Sequence, residues 1–377
     1  MTLQIHFLKT LHVISFDIPY PANYGGAIDV FYKIKALHEK GLKIILHCFL
    51  YNNKKIPEEL IKYCEEVLYY TREKSVFSWF SFTPFIVQTR NNKALLERLC
   101  EDDYPILFEG VHCCYYLSDN RLTHRQKILR SHNIEHQYYK HLAANENSFF
   151  KKFYFLSEAW KLQRFENKLQ NANYILSISE SDRSFFAQRN DAVMLLNAFH
   201  ANDEVTVYKG LGNYCLFHGN LSIEDNSSAA RWLIENVFAN NDIEFIIAGK
   251  NPNKDLISYC KSFKNVQLVG NPTDAKLIDL ISNAQVNVIY STQGAGVKLK
   301  LINVLFQGRH CICNAKTVVG TGLETLVQIA ELPTEFINKI SSVIKVEYPE
   351  RDIVLRNEIL SKRYNNAKNA GIIMGLL

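Results

Sequence analysis

The sequence predicts an α/β protein made of two Rossmann-like, doubly wound domains facing across a cleft. Short apolar runs rich in β-branched residues alternate with stretches of helical spacing along almost the whole chain, the pattern of parallel βαβ units. The alternation comes as two series, separated at 201–212 by the polar, poorly periodic ANDEVTVYKGLG. At 377 residues the chain is also long for a single core. The expected organisation is a first domain over 1–200, a linker at 201–212, a second domain over 213–348, and a segment 349–377 that crosses back to the first domain.

In the first series LHVISF (11–16) is the opening strand. It runs into DIPYPANYGGAIDV, where Pro19, Pro21, Gly25 and Gly26 make a loop before an amphipathic helix over 27–40. The glycine pair leaves room for a ligand at the carboxyl ends of the strands, where open α/β sheets bind; a plain turn explains the pair as well. KIILHCFL (43–50) is the second strand, and 67–70, PILFE (105–109), 127–130, YILSIS (174–179) and 193–197 continue the series. The second series has strands at 214–218, IEFIIA (243–248), 266–269, VNVIY (286–290) and 310–313. A charged helix is predicted over 350–369, packed back onto the first domain, and the apolar GIIMGLL follows it.

The most informative stretch is STQGAGVKLKLINVLFQGRHCIC, 291–313. It reads as strand end, glycine-rich loop with Gly294 and Gly296, helix over 297–306, a stop at Gly308, and the next strand. Lys298 and Lys300 fall in the first helical turn with no acid beside them. The helix dipole disfavours cations there, unless an anion binds between them and the free N–H groups. A phosphate-bearing ligand fits that reading, and two solvated lysines are the alternative. The loop is neither a Walker sequence nor GxGxxG.

Composition narrows the field. An apolar fraction of 47% and a charged fraction of 21% describe a globular chain, and a net charge of +5 without a long basic run gives no sign of nucleic acid binding. Nine cysteines without a CxxC pair suggest buried, reduced thiols and a cytoplasmic location. No signal peptide and no apolar span of ~20 residues is seen.

Several segments, in order, resemble the group 1 glycosyltransferases, glycosyltransferase family four, of the GT-B fold. They are PYPANYGGAIDVFYKIKAL, LRSHNIEHQYY, ISESD, FHGNLSIEDNSSAARWL, IIAGKNP, QLVGNP and GAGVKLKLINVLFQG, and together they span nearly the whole chain. The last is similar to the subgroup motif G-x-G-[IV]-[KR]-x-K-x-x-E-A. The resemblance implies transfer of a sugar from a nucleotide-diphosphate donor to a glycan or lipid-linked acceptor, with retention, in cell-surface polysaccharide or glycolipid assembly. It implies donor contacts from Gly25, Gly26, Gly249, Lys250, Gly270, Asn271, Gly294, Gly296, Lys298, Lys300 and Asn303. His132 and Lys298 are the expected catalytic residues, and neither a metal nor a cofactor is expected.

The chain departs from the pattern twice. The acidic residue that holds the donor ribose falls on Asn303, which keeps donor and acceptor capacity but loses the charge-assisted bond. The basic pair that many relatives place after the first strand of the second domain is missing, because HGNLSIED contains no Lys or Arg. A non-catalytic nucleotide-sugar-binding protein is therefore the alternative function.

Other residues are placed by position. His132 and Asn133 end a strand and are expected to face acceptor or donor sugar, a structural hydrogen-bonded His being the alternative; Glu109 and His112 are acceptor-side candidates. The run His132 to His136 also matches HxxEH, so a zinc hydrolase is a remote alternative, although it follows a strand-like run rather than lying on one helix. VFSWFSFTPFIV (76–87) is too short to span a bilayer and reads as core, whereas FFKKFYF (149–155) mixes aromatics with lysines as membrane-surface segments do. Peripheral contact at the inner membrane face is the expectation that would suit a lipid-linked acceptor.

Overall fold

The structure is a computed structural model that describes residues 9–50, 57–74, 81–292 and 298–377. The chain divides into two compact units, one of residues 1–199 and 366–377, the other of residues 200–365.

The first unit is built on a parallel sheet of seven strands in the order β3-β2-β1-β4-β5-β6-β7. These are β1 (Thr10–Ser15), β2 (Lys43–Leu50), β3 (Glu66–Thr71), β4 (Ile106–Glu109), β5 (Lys127–Ser131), β6 (Tyr174–Ser177) and β7 (Val193–Leu195). The apolar runs form strands because both faces of the sheet are covered: Ile14, Phe108 and Leu129 enter one core, and Val13, Leu46 and Leu107 the other. Strand order reverses between β1 and β4, and it is outside the carboxyl ends of such a pair that open α/β sheets bind ligands.

The second unit repeats the plan with six strands in the order β10-β9-β8-β11-β12-β13. They are β8 (Cys215–Asn220), β9 (Phe245–Lys250), β10 (Val266–Gly270), β11 (Val286–Ile289), β12 (His310–Cys313) and β13 (Gln328–Ile329). Here the reversal lies between β8 and β11.

Three expectations need correction. The first helix begins at Gly25 and runs to Glu39, so the glycine pair opens the helix rather than lying in the loop before it. The stretch 201–212 belongs to the second unit instead of linking two bodies. The charged helix expected over 350–369 is two helices, Glu350–Arg363 and Asn366–Gly375. The former stays with the second unit because Arg356 is fully buried and donates to the carbonyls of Gly308 and Arg309, at the end of the Leu299–Gln307 helix. Cationic side chains suit that end of a helix. The latter crosses back: Ala370 and Ile373 join the core of Val30 and Ile34 in the first unit.

Candidate functional site

At the reversal of the first sheet, Phe16 follows β1, Gly110 follows β4 and His132 follows β5. A Cβ on Gly26 would stand 2.6 Å from Phe16 Cζ, so any larger residue at the start of the first helix would have to displace that ring. The Phe16 ring is 5.7 Å from the His132 ring, edge on, and 5.5 Å from the His112 ring. Gly26, His112 and His132 are thus gathered around one phenylalanine. Burial pushes the His112 imidazole well down, and its Nδ1 has no hydrogen-bond partner. Asn133 is half-buried and its carbonyl accepts from Ser131 Oγ at 3.1 Å.

Beneath that cluster is a buried set of charges. Lys33 Nζ donates to Glu109 at 2.7 and 2.9 Å and to Asp29 at 3.0 Å. Arg130 grips both Asp29 oxygens, at 3.0 and 3.1 Å, and Asp29 Oδ1 also accepts from Phe199 N at 2.9 Å. His132 Nε2 lies 3.1 Å from Glu109 and its Nδ1 3.8 Å from Asp29. Burial alone would raise both carboxyls; Arg130 and Lys33 hold Asp29 far below its usual range, and Lys33 with the His132 bond keeps Glu109 below its own. Glu109, expected as an acceptor-side residue, is fully buried and its carboxylate lies against His132 and Lys33 rather than at the surface. Asp29, Glu109 and His132 offer atoms within 4.8 Å of one another. The countercharge a cation would supply to them is already provided by Lys33 and Arg130.

The HxxEH reading fails on geometry. The helix starts at Glu135, after His132, and His136 Nδ1 is held by Glu166 at 2.7 Å while His132 turns to Glu109. The two histidines serve different carboxylates, so they do not converge as zinc ligands.

The reversal of the second sheet gathers another set. Gly249 approaches so closely that a Cβ there would lie 1.9 Å from Gly219 O. The turns after β9 and β10 interlock: Asn271 N donates to Gly249 O and Asn251 N to Asn271 Oδ1, both at 2.8 Å, with Asn251 and Asn271 in the left-handed region at φ 50° and 52°. Gly270 packs against Pro252, and Lys250 is 3.9 Å from Asp274. On the other side of β8, Asp225 in the first turn of the Glu224–Leu233 helix accepts from Thr292 N at 3.1 Å and from Thr292 Oγ1. That bond ties the ends of β8 and β11 together.

Lys298 is the residue before the Leu299–Gln307 helix rather than within its first turn, and Lys300 is the second helical residue. Gly294 and Gly296 lie outside the described residues. Lys300 Nζ donates to Asn226 Oδ1 at 3.0 Å and sits 5.0 Å from the centre of the Phe217 ring. No carboxylate among the described residues comes within ion-pair distance of it. Burial pulls the Lys300 ammonium down to about 8, with Asp225 acting the other way, and burial lowers Lys298 as well. Asn303 Oδ1 accepts from Asn202 Nδ2 at 2.9 Å, and Gln307 donates to Asn202 at 2.5 Å. A residue not singled out from the sequence completes this set. His218, on β8, is only 5% exposed and its Nε2 has no hydrogen-bond partner. A histidine inside an apolar strand is hard to tell from core by sequence; its place near the reversal of the second sheet comes from the topology.

Comparison with known proteins adds to this geometry. Residues 212–345 match the family model described as Glycosyl transferases group 1. A Klebsiella pneumoniae protein described as an uncharacterized 44.6 kDa protein in cps region is 27% identical over 333 residues, covering 82% of this chain and 84% of that one. The crystal structure of HepE from Anabaena in complex with UDP matches with a TM-score of 0.66 at 14% identity, over 97% of this chain and 98% of its own. The structure of TarM matches with a TM-score of 0.68 at 11% identity, over 98% and 99% of the two chains. At such identities the structural likeness concerns the fold, and the fold is GT-B.

Proposed function

We propose, with a group 1 glycosyltransferase of the GT-B fold as the premise, that this chain moves a sugar from a nucleoside-diphosphate donor to a glycan or lipid-linked acceptor with retention of configuration. The observation that carries the reading is Lys300. It is a desolvated ammonium at the reversal of the second sheet, bonded to a neutral amide and without a carboxylate partner among the described residues. An anion that arrives there recovers the charge-assisted bonds that burial has withheld. As the bond to the sugar breaks, charge builds on the departing diphosphate, and Lys300 with Lys298 is placed to stabilise it. Asn303 would meet the ribose hydroxyls, and the interlocked turns at Gly249–Lys250 and Gly270–Asn271 would receive the nucleoside.

In the first unit, Gly26, His132 and Asn133 are assigned to the sugar and acceptor side, with His132 held by Glu109. HepE was crystallised with UDP, and the Klebsiella relative is described as lying in a cps region, which supports a uridine nucleotide and polysaccharide assembly for this chain.

The helix Phe149–Phe165 supports a peripheral place at a membrane. Phe149, Phe150 and Phe153 are 76%, 85% and 69% exposed, beside exposed Lys151 and Lys152. The one acid of this helix, Glu158, is turned inward to Lys161 and Phe85 N. An aromatic face with exclusively positive exposed charge suits an anionic lipid surface. No helix among the described residues is long and apolar enough to cross a membrane.

The test is incubation with a panel of radiolabelled UDP-, GDP- and ADP-sugars, with and without a lipid-linked acceptor fraction. Transfer, or slow donor hydrolysis that His132→Ala abolishes, is the expected result. Donor binding without turnover under any condition would contradict it and leave a nucleotide-sugar-binding protein.

A further inference from the structure

We infer that His218 is a donor-site residue, a neutral imidazole whose Nε2–H bonds an oxygen of the nucleoside diphosphate held by Lys300. This rests on the donor reading above and adds to it a contact that the sequence analysis did not assign. His218 lies near the end of β8, the strand at which the second sheet reverses, where open α/β sheets receive ligands.

Its Nε2 is a buried polar atom without a hydrogen-bond partner, at a residue 5% exposed. The nearby polar groups are committed elsewhere: Asn226 accepts from Lys300 and donates to Asn220 O at 2.9 Å, and Asp225 accepts from Thr292. A leucine would continue the apolar run of Cys215, Leu216 and Phe217 without leaving a polar atom unsatisfied. Burial and the Lys300 charge keep the ring neutral, down at about 3, so it has one N–H to offer and adds no second cation beside the lysine. The segment HGNLSIED contains no Lys or Arg and carries Glu224 and Asp225, so a diphosphate bound there needs another donor. Two features with unmet capacity, the Lys300 ammonium and the His218 nitrogen, therefore lie at the same reversal of the second sheet, Lys300 over the ring of Phe217, the residue before His218.

The experiment is calorimetric titration of UDP, GDP and ADP, and of the matching nucleosides, against the parent, His218→Leu, His218→Gln and Lys300→Ala, each with a thermal midpoint. His218→Leu should weaken the diphosphate roughly 10- to 150-fold, the range of one lost hydrogen bond to a charged group. Nucleoside affinity should hold, and the ligand-free midpoint should stay or rise. His218→Gln should recover part of the affinity. A His218→Leu protein that binds diphosphate like the parent while Lys300→Ala does not overturns this inference alone. Equal loss of nucleoside and diphosphate in His218→Leu also overturns it, by moving the residue to the base or ribose. A Lys300→Ala protein of parental affinity, or a parent that binds none of the diphosphates, overturns the donor reading together with it.

Discussion

The two sheets reverse at equivalent places and put polar residues there, yet the two polar centres differ in kind. In the first unit Asp29, Lys33, Glu109 and Arg130 are two acids and two bases, all buried, each matched at hydrogen-bond distance. In the second unit Lys300 has, among the described residues, an amide but no carboxylate, and His218 Nε2 has no hydrogen-bond partner. A closed set of charges has no capacity left for a ligand and fixes geometry, here the ring of His132. An open set costs stability until something arrives. Proteins keep such deficits where they bind.

The largest effect should come from opening the closed set. Arg130→Met leaves Asp29 buried with half its countercharge, and removing one partner of such a pair costs about 3–5 kcal/mol. Urea unfolding should show that loss, and one below about 1 kcal/mol would mean that the network relaxes with water.

The first unit also carries an exception, which sharpens the comparison. Glu135 is 3% exposed; burial, then Glu166, pushes its carboxyl up to about 8. A folded value above the unfolded one means that its contribution is fully present below about 4.5 and lost as pH rises through about 8. Asp182, raised to about 6 mainly by burial, adds loss in the same direction over a lower range. Glu135→Gln should therefore be roughly 2–4 kcal/mol more stable than the parent at pH 8.5 and nearly equal to it at pH 4.5. A pH-independent difference between them would contradict the assignment.

Next comes the open set. Lys300→Ala should weaken nucleoside diphosphates roughly 10- to 150-fold, as expected for a lost charge-assisted bond, and spare nucleosides. The smallest effect is expected at Asn303. A glutamate there still accepts from Asn202 and regains a charge-assisted bond to ribose, so nucleosides and diphosphates should tighten alike, by roughly 2- to 10-fold. Tightening of diphosphates alone would place this residue on the phosphates.

Sequence legibility follows the range of the interactions. Strands such as KIILHCFL read clearly because both faces are buried, and burial writes itself as an apolar run; the Lys43–Leu50 strand is found where the run lies. Gly25 and Gly26 were harder. Glycine is a poor helix former, and only the close approach of Phe16 explains one inside the first turn. The division of the last segment into two helices depends on Arg356 finding carbonyls 47 and 48 residues away, which no local pattern reports. The closed charge set was legible only in its Asp29–Lys33 pair, at helical spacing; Glu109 is 76 residues from Lys33 and Arg130 is 101 from Asp29. Lys300 was legible because a motif carried it. His218 was not, because what marks it is the absence of a partner, and that is a property of packing.

Hydrogen exchange with and without saturating nucleoside diphosphate tests the contrast between the two centres most directly. Ligand should slow exchange over 215–226 and 298–303, at the open set, and leave 106–112 and 127–133, around the closed set, unchanged. Protection confined to the stretches around Glu109 and Arg130 would contradict the account and move the nucleotide to the first unit.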